Sequence, residues 1–100
     1  MLHTVNKSPF ERNTLEACLK RAVPGSAILL IEDAVYAALA DTGLADAMSS
    51  AAGRFEISVL GPDLAARGLD GSALVDGVKV VDYAGFVDLA VAKGPVQAWL

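Results

Sequence analysis

The feature that most constrains the fold is an uninterrupted aliphatic segment, Ala27 to Ile31. It is far shorter than a membrane span, and apolar side chains on both faces of a strand are typical of a parallel sheet covered by helices on each side. Two more strand segments, Phe55 to Leu60 and Val78 to Val81, are separated from it by helical patterns. This alternation predicts an α/β fold, because parallel strands need helical crossovers that cover the sheet.

The two ends of the chain complete the predicted sheet. Met1 to Val5 is interpreted as the first strand and Val96 to Leu100 as the fifth. The sequence therefore predicts a three-layer α/β/α fold around a five-stranded, mainly parallel sheet. One hundred residues allow one domain, spanning residues 1–100.

Three polar residues are predicted to cap helices: Ser8, Asp33 and Asp82. Ser8 is followed by Pro9, a favourable first helical residue, so the first helix is expected to start there. Asp33 is the predicted cap of a short helix from Ala34 to Ala40, and Asp82 that of the last helix.

Charge and composition exclude several functions. Eight basic residues stand against twelve acidic ones, the net charge is −4, and the basic residues are scattered, which argues against direct nucleic-acid binding. The turn after the first strand, Asn6 to Ser8, has no glycine and leads into Pro9, which disfavours a nucleotide or flavin phosphate. One cysteine and one histidine without a carboxylate cluster predict no metal site, so no cofactor is expected. No secretory signal or membrane span is recognised, and we expect a cytoplasmic protein.

Cys18 is the one side chain that could act as a soft nucleophile or carry a sulfane sulfur. It lies on the apolar stripe of the first helix with Leu15, Leu19 and Ala22, which favours a small buried hydrophobe. Cys18 is also in the middle of the helix and not at its N-terminus, the position that most often lowers the pKa of a thiol. A reactive Cys18 remains the alternative.

Two further candidates are the adjacent acids Glu32 and Asp33 and the single histidine, His3. The acids follow a strand and could serve acid–base chemistry, but a capping Asp33 beside a solvated Glu32 is favoured. His3 lies within the first strand, where a packed, hydrogen-bonded ring is expected and a pH-sensing or ligand role is the alternative.

The excess of apolar residues points to a protein partner. Hydrophobic residues make up 54% of the chain and charged residues only 20%, and the chain ends on Ala98, Trp99 and Leu100. A chain this small needs many polar residues to cover its surface. Uncovered apolar surface usually marks an interface, although the high alanine content also raises the count.

Five blocks of the sequence together resemble one family. They are MLHTVNKSP at residues 1–9, LLIEDAVYAA at 29–38, VLGPDLAARG at 59–68, VDYAGFVDL at 81–89 and VQAWL at 96–100. In this order, over nearly the whole chain, they resemble DsrH/TusB proteins, the sulfur-relay subunits. The resemblance is closer to the DsrH branch, found beside dissimilatory sulfur oxidation, than to the tRNA-thiolation branch.

The resemblance implies an α/β/α subunit of a cytoplasmic heterohexamer with two copies each of three related chains: DsrE, DsrF and DsrH, or TusD, TusC and TusB. Such a complex passes persulfide sulfur between protein cysteines, toward sulfur oxidation or toward wobble 2-thiouridine in tRNA. The principal sulfur-accepting cysteine belongs to the DsrE/TusD subunit, and Cys18 matches a first-helix cysteine of DsrH-type chains.

The resemblance thus implies a largely non-catalytic subunit. Its expected partners are DsrE/TusD-like and DsrF/TusC-like chains together with sulfur donor and acceptor proteins. Two alternatives remain open: Cys18 is itself a persulfide carrier, or the chain is a free-standing domain that binds a small molecule.

Overall fold

The chain forms a five-stranded sheet in which every strand is parallel to its neighbours, as seen in a computed structural model of residues 1–100. The strands are β1 at Leu2–Val5, β2 at Ala27–Leu30, β3 at Glu56–Leu60, β4 at Lys79–Val81 and β5 at Val96–Trp99. Their order across the sheet is β4-β3-β2-β1-β5. The predicted sheet is confirmed, and it is parallel throughout.

Four α-helices connect the strands: α1 at Thr14–Arg21, α2 at Ala45–Ala52, α3 at Gly61–Ala66 and α4 at Tyr83–Lys93. Two 3₁₀ segments, Glu32–Ala38 and Gly71–Ala73, complete the connections. None of the helices has both the length and the apolar content needed to cross a bilayer.

The path of the chain explains how the helices divide between the two sides of the sheet. From β1 to β4 the chain steps across the sheet in one direction, and it then returns past β1 to add β5 at the opposite edge. Because crossovers between parallel strands are right-handed, the first three place their helices on one side and the last places α4 on the other. The predicted layers on both faces are confirmed, but the second outer layer is a single helix.

The two sides of the sheet bury different amounts of apolar surface. On the side of α1, α2 and α3 there is a core of 16 buried residues. On the α4 side the hydrophobic cluster has three buried residues, Leu2, Ala27 and Leu29, and Phe86 and Leu89 of α4 pack against them. The side covered by α4 alone is therefore the thinner part of the fold.

Strand β2 has the environment that its sequence predicts. All four of its residues are fully buried, Ile28 and Leu30 in the larger core and Ala27 and Leu29 on the α4 side. Burying each of the large aliphatic side chains contributes about 1.5–3 kcal/mol. The central strand is thus held from both faces.

The first helix begins later than predicted. The Ser8 hydroxyl accepts a hydrogen bond from the N–H of Phe10 at 3.2 Å, and the Ser8 carbonyl accepts from the N–H groups of Glu11 and Arg12. These bonds close a single turn, and the regular helix starts at Thr14. The predicted start at Pro9 is wrong, because the turn that Ser8 closes is not continued as a helix and the regular helix begins only after it.

The last helix is capped as predicted. The Asp82 side chain accepts a hydrogen bond from the N–H of Gly85 at 2.8 Å. A Cβ built at Gly85 would lie 2.9 Å from the Cβ of Val81, so the absence of a side chain lets α4 approach the end of β4 closely.

Candidate functional site

Cys18 lies on the sheet-facing side of α1 and is fully buried. It belongs to the larger core together with Leu15 and Val5. Burial raises the pKa of the Cys18 thiol to about 11, because an apolar environment disfavours the charged thiolate. The prediction of a buried thiol is confirmed, whereas its role as a persulfide carrier stays a prediction.

The neighbouring basic residues do not change this environment. Lys20 forms an ion pair with Glu16 at 3.0 Å, the i, i+4 pair typical of a helix surface, and both side chains are about two-thirds exposed or more. Arg21 is exposed at the end of α1. Burial is the only cause of the shift in the Cys18 pKa.

Two cavities lie at the surface, and neither is lined by Cys18. The first, of about 540 Å³, lies between the turn at residues 9–13, α1 and α2, with Phe10 and Met48 among its lining residues. The second, of about 760 Å³, is lined by His3, Arg21 and Lys93 among others. A sulfur donor entering either cavity would therefore not meet the thiol.

A polar cluster forms where β2 and β3 end. Arg67 donates two hydrogen bonds to one Asp33 oxygen, from Nε at 3.0 Å and from Nη2 at 2.8 Å, and a third from Nη1 to the Asp63 carbonyl at 3.0 Å. Oδ2 of the Asp63 side chain accepts a hydrogen bond from the N–H of Glu32 at 2.7 Å. The cluster links α3 to the 3₁₀ segment and holds the two strand ends together.

The predicted cap at Asp33 is wrong. The segment after β2 is a 3₁₀ helix, Glu32–Ala38, whose N-cap position is Ile31, with no side-chain cap. Asp33 binds Arg67 instead, a residue 34 positions away. A long-range ion pair has replaced the local hydrogen bond that the sequence favoured.

Glu32 has an unusual backbone conformation. Its φ is +51°, the only positive φ at a non-glycine residue of the chain. This left-handed conformation is unfavourable by about 1–2 kcal/mol for an L-residue, and the bond from its N–H to Asp63 stabilises it. Sequence analysis placed the acid pair at the strand end but missed Asp63 and Arg67, although both lie in the VLGPDLAARG block.

His3 is buried and hydrogen-bonded, as predicted. Its Nδ1 accepts a hydrogen bond from Nε1 of Trp99 at 3.0 Å, and the two ring centroids are 6.1 Å apart. Burial, and secondly the nearby N-terminal ammonium, lower the pKa of His3 below its ordinary value. The partner Trp99 was not predicted, because the two residues are at opposite ends of the chain.

The geometry defines a small α/β domain with a buried thiol and no cavity that reaches it. The family model described as DsrH like protein matches residues 7–96. The chain is 38% identical to "Protein TusB" of Erwinia tasmaniensis and 34% identical to "Protein TusB" of Pectobacterium parmentieri, with 99% of this chain and 100% of each relative covered. The chain belongs to the DsrH/TusB family, the sulfur-relay family that its sequence resembles.

Solved structures show the same fold. The ychN protein from E. coli superposes with a TM-score of 0.79 at 16% identity, and the match covers 98% of this chain and 97% of the ychN chain. MTH1491 of Methanobacterium thermoautotrophicum, a protein of unknown function, superposes with a TM-score of 0.75 at 17% identity and covers 97% and 95%. These likenesses confirm the predicted α/β/α fold class.

Proposed function

We propose that this chain is a largely non-catalytic subunit of a cytoplasmic sulfur-relay complex. Its partners in the proposal are DsrE/TusD-like and DsrF/TusC-like chains, in a heterohexamer with two copies of each. The observation that carries the proposal is that a member of a sulfur-relay family has its only thiol fully buried, with a pKa of about 11. Sulfur exchange requires an accessible thiolate, so a partner chain provides the reacting cysteine.

The chemistry of the relay is a thiol exchange without net oxidation. The acceptor thiolate attacks the outer sulfur of a donor persulfide, a new sulfur–sulfur bond forms, the donor bond breaks, and the donor leaves as a thiolate. This chain contributes no atom to that step. Its role in the proposal is to hold the chains that do.

The names of the relatives support one end use of the sulfur over the other. Both relatives described above are called TusB, the name of the tRNA-thiolation branch in the resemblance. The proposal therefore places delivery toward wobble 2-thiouridine first. Dissimilatory sulfur oxidation, the end use of the DsrH branch that the five sequence blocks resemble more closely, comes second.

Exposed apolar side chains support a subunit that has partners. The following large hydrophobic residues are about half exposed or more: Met1, Phe10, Val23, Val80, Tyr83, Val87, Val91, Val96 and Leu100. Three of them, Tyr83, Val87 and Val91, follow one another at four-residue spacing along α4. Contiguous exposed apolar side chains are typical of a surface that is covered in an assembly.

Co-expression with the DsrE/TusD-like and DsrF/TusC-like chains of the same genome tests the proposal. We expect the three chains to co-purify, with the mass of six subunits by light scattering. Treatment with a persulfide donor, followed by mass spectrometry, should add one sulfur atom to a partner cysteine and none to Cys18.

The control is the same complex with Cys18→Ala, which should load sulfur to the same extent. A chain that stays monomeric in the presence of both partners would contradict the proposal. An added sulfur on Cys18 itself would favour the carrier alternative.

A further inference from the structure

The outward side of α4 lacks the polar layer expected of a surface helix. Six exposed residues lie along it: Tyr83, Ala84, Val87, Asp88, Val91 and Ala92. Only one of them is charged, and Tyr83, Val87 and Val91 are 60–83% exposed. Because the opposite side of α4 packs on the sheet through Phe86 and Leu89, the helix is apolar on both sides, which is typical of a buried helix.

Strand β5 extends this apolar surface beside α4. In the parallel register Val96 lies opposite Leu2 and Ala98 opposite Thr4, and side chains opposite each other in paired strands point to the same side of the sheet. Leu2 packs on the α4 side, so Val96 and Ala98 face that side as well, where both are exposed.

Strand β5 is also an edge strand without charged residues. It pairs only with β1, and the residues of Val96–Trp99 are all uncharged. Edge strands usually carry charges that prevent association with other chains. The absence of such protection is expected where another chain covers the edge.

Helix α4 alone is too small for a standard protein–protein interface, so the proposed contact surface includes both α4 and β5. A helix of 11 residues is about 16 Å long and about 10 Å wide, far short of the roughly 800 Å² that one partner contributes to a standard interface. We call Tyr83, Ala84, Val87, Val91, Val96 and Ala98 the α4–β5 surface.

The exposed carboxylate of Asp88, in the middle of α4, indicates which kind of chain binds the α4–β5 surface. Asp88 is exposed at the midpoint of Tyr83–Lys93, and its side chain has no hydrogen bond or ion pair within the chain. If a second copy bound centrally on α4, with the twofold axis at the midpoint of the helix, the two Asp88 carboxylates would face each other in an apolar contact. Like charges in such a contact are unfavourable, whereas a lysine or arginine of a different chain would pair with Asp88.

We infer that the α4–β5 surface binds a different chain, one that presents an apolar face with a basic residue opposite Asp88. This inference rests on the proposed function and assigns the contact surface for a partner subunit. The sheet side that α4 alone covers would then be completed by the partner.

Substitutions at Val87 test the inference in the three-chain complex. Val87→Glu places a charge in the α4–β5 surface, and Ser49→Glu places the same charge at an exposed residue of α2, on the other side of the sheet. We expect Val87→Glu to weaken association at least about tenfold and Ser49→Glu to change it less than about twofold. Circular dichroism and thermal unfolding of each variant show whether it is folded.

Two substitutions at Asp88 test whether the partner chain presents a basic residue to it. Asp88→Lys should weaken association more than Asp88→Asn, because a reversed charge repels the basic residue whereas a neutral amide only loses its attraction. Asp88 is exposed and unpaired, so this pair of variants also decides the question if Val87→Glu does not fold.

The outcomes separate this inference from the proposed function. A normal complex with Val87→Glu and Asp88→Lys overturns the α4–β5 assignment and leaves the proposed function in place. A wild-type chain that binds neither partner overturns both. A wild-type homodimer that Val87→Glu converts to monomer shows that a second copy occupies the surface, and overturns the assignment to a different chain.

Discussion

Trp99 donates a hydrogen bond from its indole Nε1 to Nδ1 of His3 at 3.0 Å, which ties the last strand of the sheet to the first. An indole nitrogen can only donate, so Nδ1 of His3 must be unprotonated to accept. Protonation would place two donors against each other. The bond and the burial of the ring both favour neutral imidazole, in agreement with the lowered pKa of His3.

The stability of the protein should therefore decrease at acidic pH through His3. Since the folded-state pKa lies below the ordinary value of 6.5, the contribution is fully present above pH 6.5. It is lost as the pH falls from there through the folded-state pKa, because the unfolded chain takes up the proton first. Urea unfolding followed by the fluorescence of the single tryptophan at pH 8 and at pH 5 measures the effect.

The control for this prediction is His3→Gln, which cannot titrate. Other groups also titrate over this range, so the comparison is between the two pH slopes. We expect a smaller loss of stability between pH 8 and pH 5 in the variant than in the wild type. Equal slopes would contradict a role for His3.

Cys18 should be unreactive in the folded chain. With a pKa of about 11, about one thiol in a thousand is ionised at pH 8, and the side chain is fully buried. Ellman's reagent should modify Cys18 only after denaturation in guanidinium. Rapid modification of the native chain would show that α1 opens, and would revive the carrier alternative.

The effect of substituting Cys18 on the free energy of unfolding should depend on the polarity of the new side chain. Cys18→Ser buries a hydroxyl among apolar side chains, and we expect a loss of about 1–3 kcal/mol of unfolding free energy if the hydroxyl finds no partner. Cys18→Ala leaves only a small cavity and should be less harmful, as chemical denaturation will show. The opposite ranking would mean that the serine hydroxyl gains a partner in the core.

The protein should be more stable when the residue at position 32 tolerates a left-handed backbone. At φ +51°, Glu32→Val should lower the free energy of unfolding by about 1–2 kcal/mol, because a β-branched side chain is strained there. Glu32→Asn should leave it nearly unchanged, since asparagine adopts this conformation more readily. Urea denaturation of both variants measures the difference, and equal stabilities would argue against strain at this position.

Loss of the Asp82 cap should destabilise the last helix. Asp82→Ala removes the acceptor for the N–H of Gly85, and we expect a decrease of about 1 kcal/mol in the free energy of unfolding. Asp88→Ala in the same helix removes an exposed acid that caps nothing and serves as the control. A thermal melt in which both variants behave alike would contradict the capping role.

The caps show where local sequence information is sufficient. Asp82 was predicted correctly because its bond spans three residues and no distant group competes for the carboxylate. Asp33 has the same kind of position in the sequence, yet Arg67 from α3 binds it. Ser8 failed for a different reason, since the turn that its hydroxyl and carbonyl close is not continued as a helix.

The sequence by itself determined the alternation of strands and helices, the burial of β2 and the inward position of Cys18, because each depends on the spacing of apolar residues along a few turns of chain. It also determined the family, through motifs spread over the whole length. Only the tertiary structure decided that His3 meets Trp99, that Asp63 supports the strained Glu32 and that one side of the sheet is covered by α4 alone. These features join residues far apart in the chain, and their partners are chosen by strand order and packing, which no local pattern encodes.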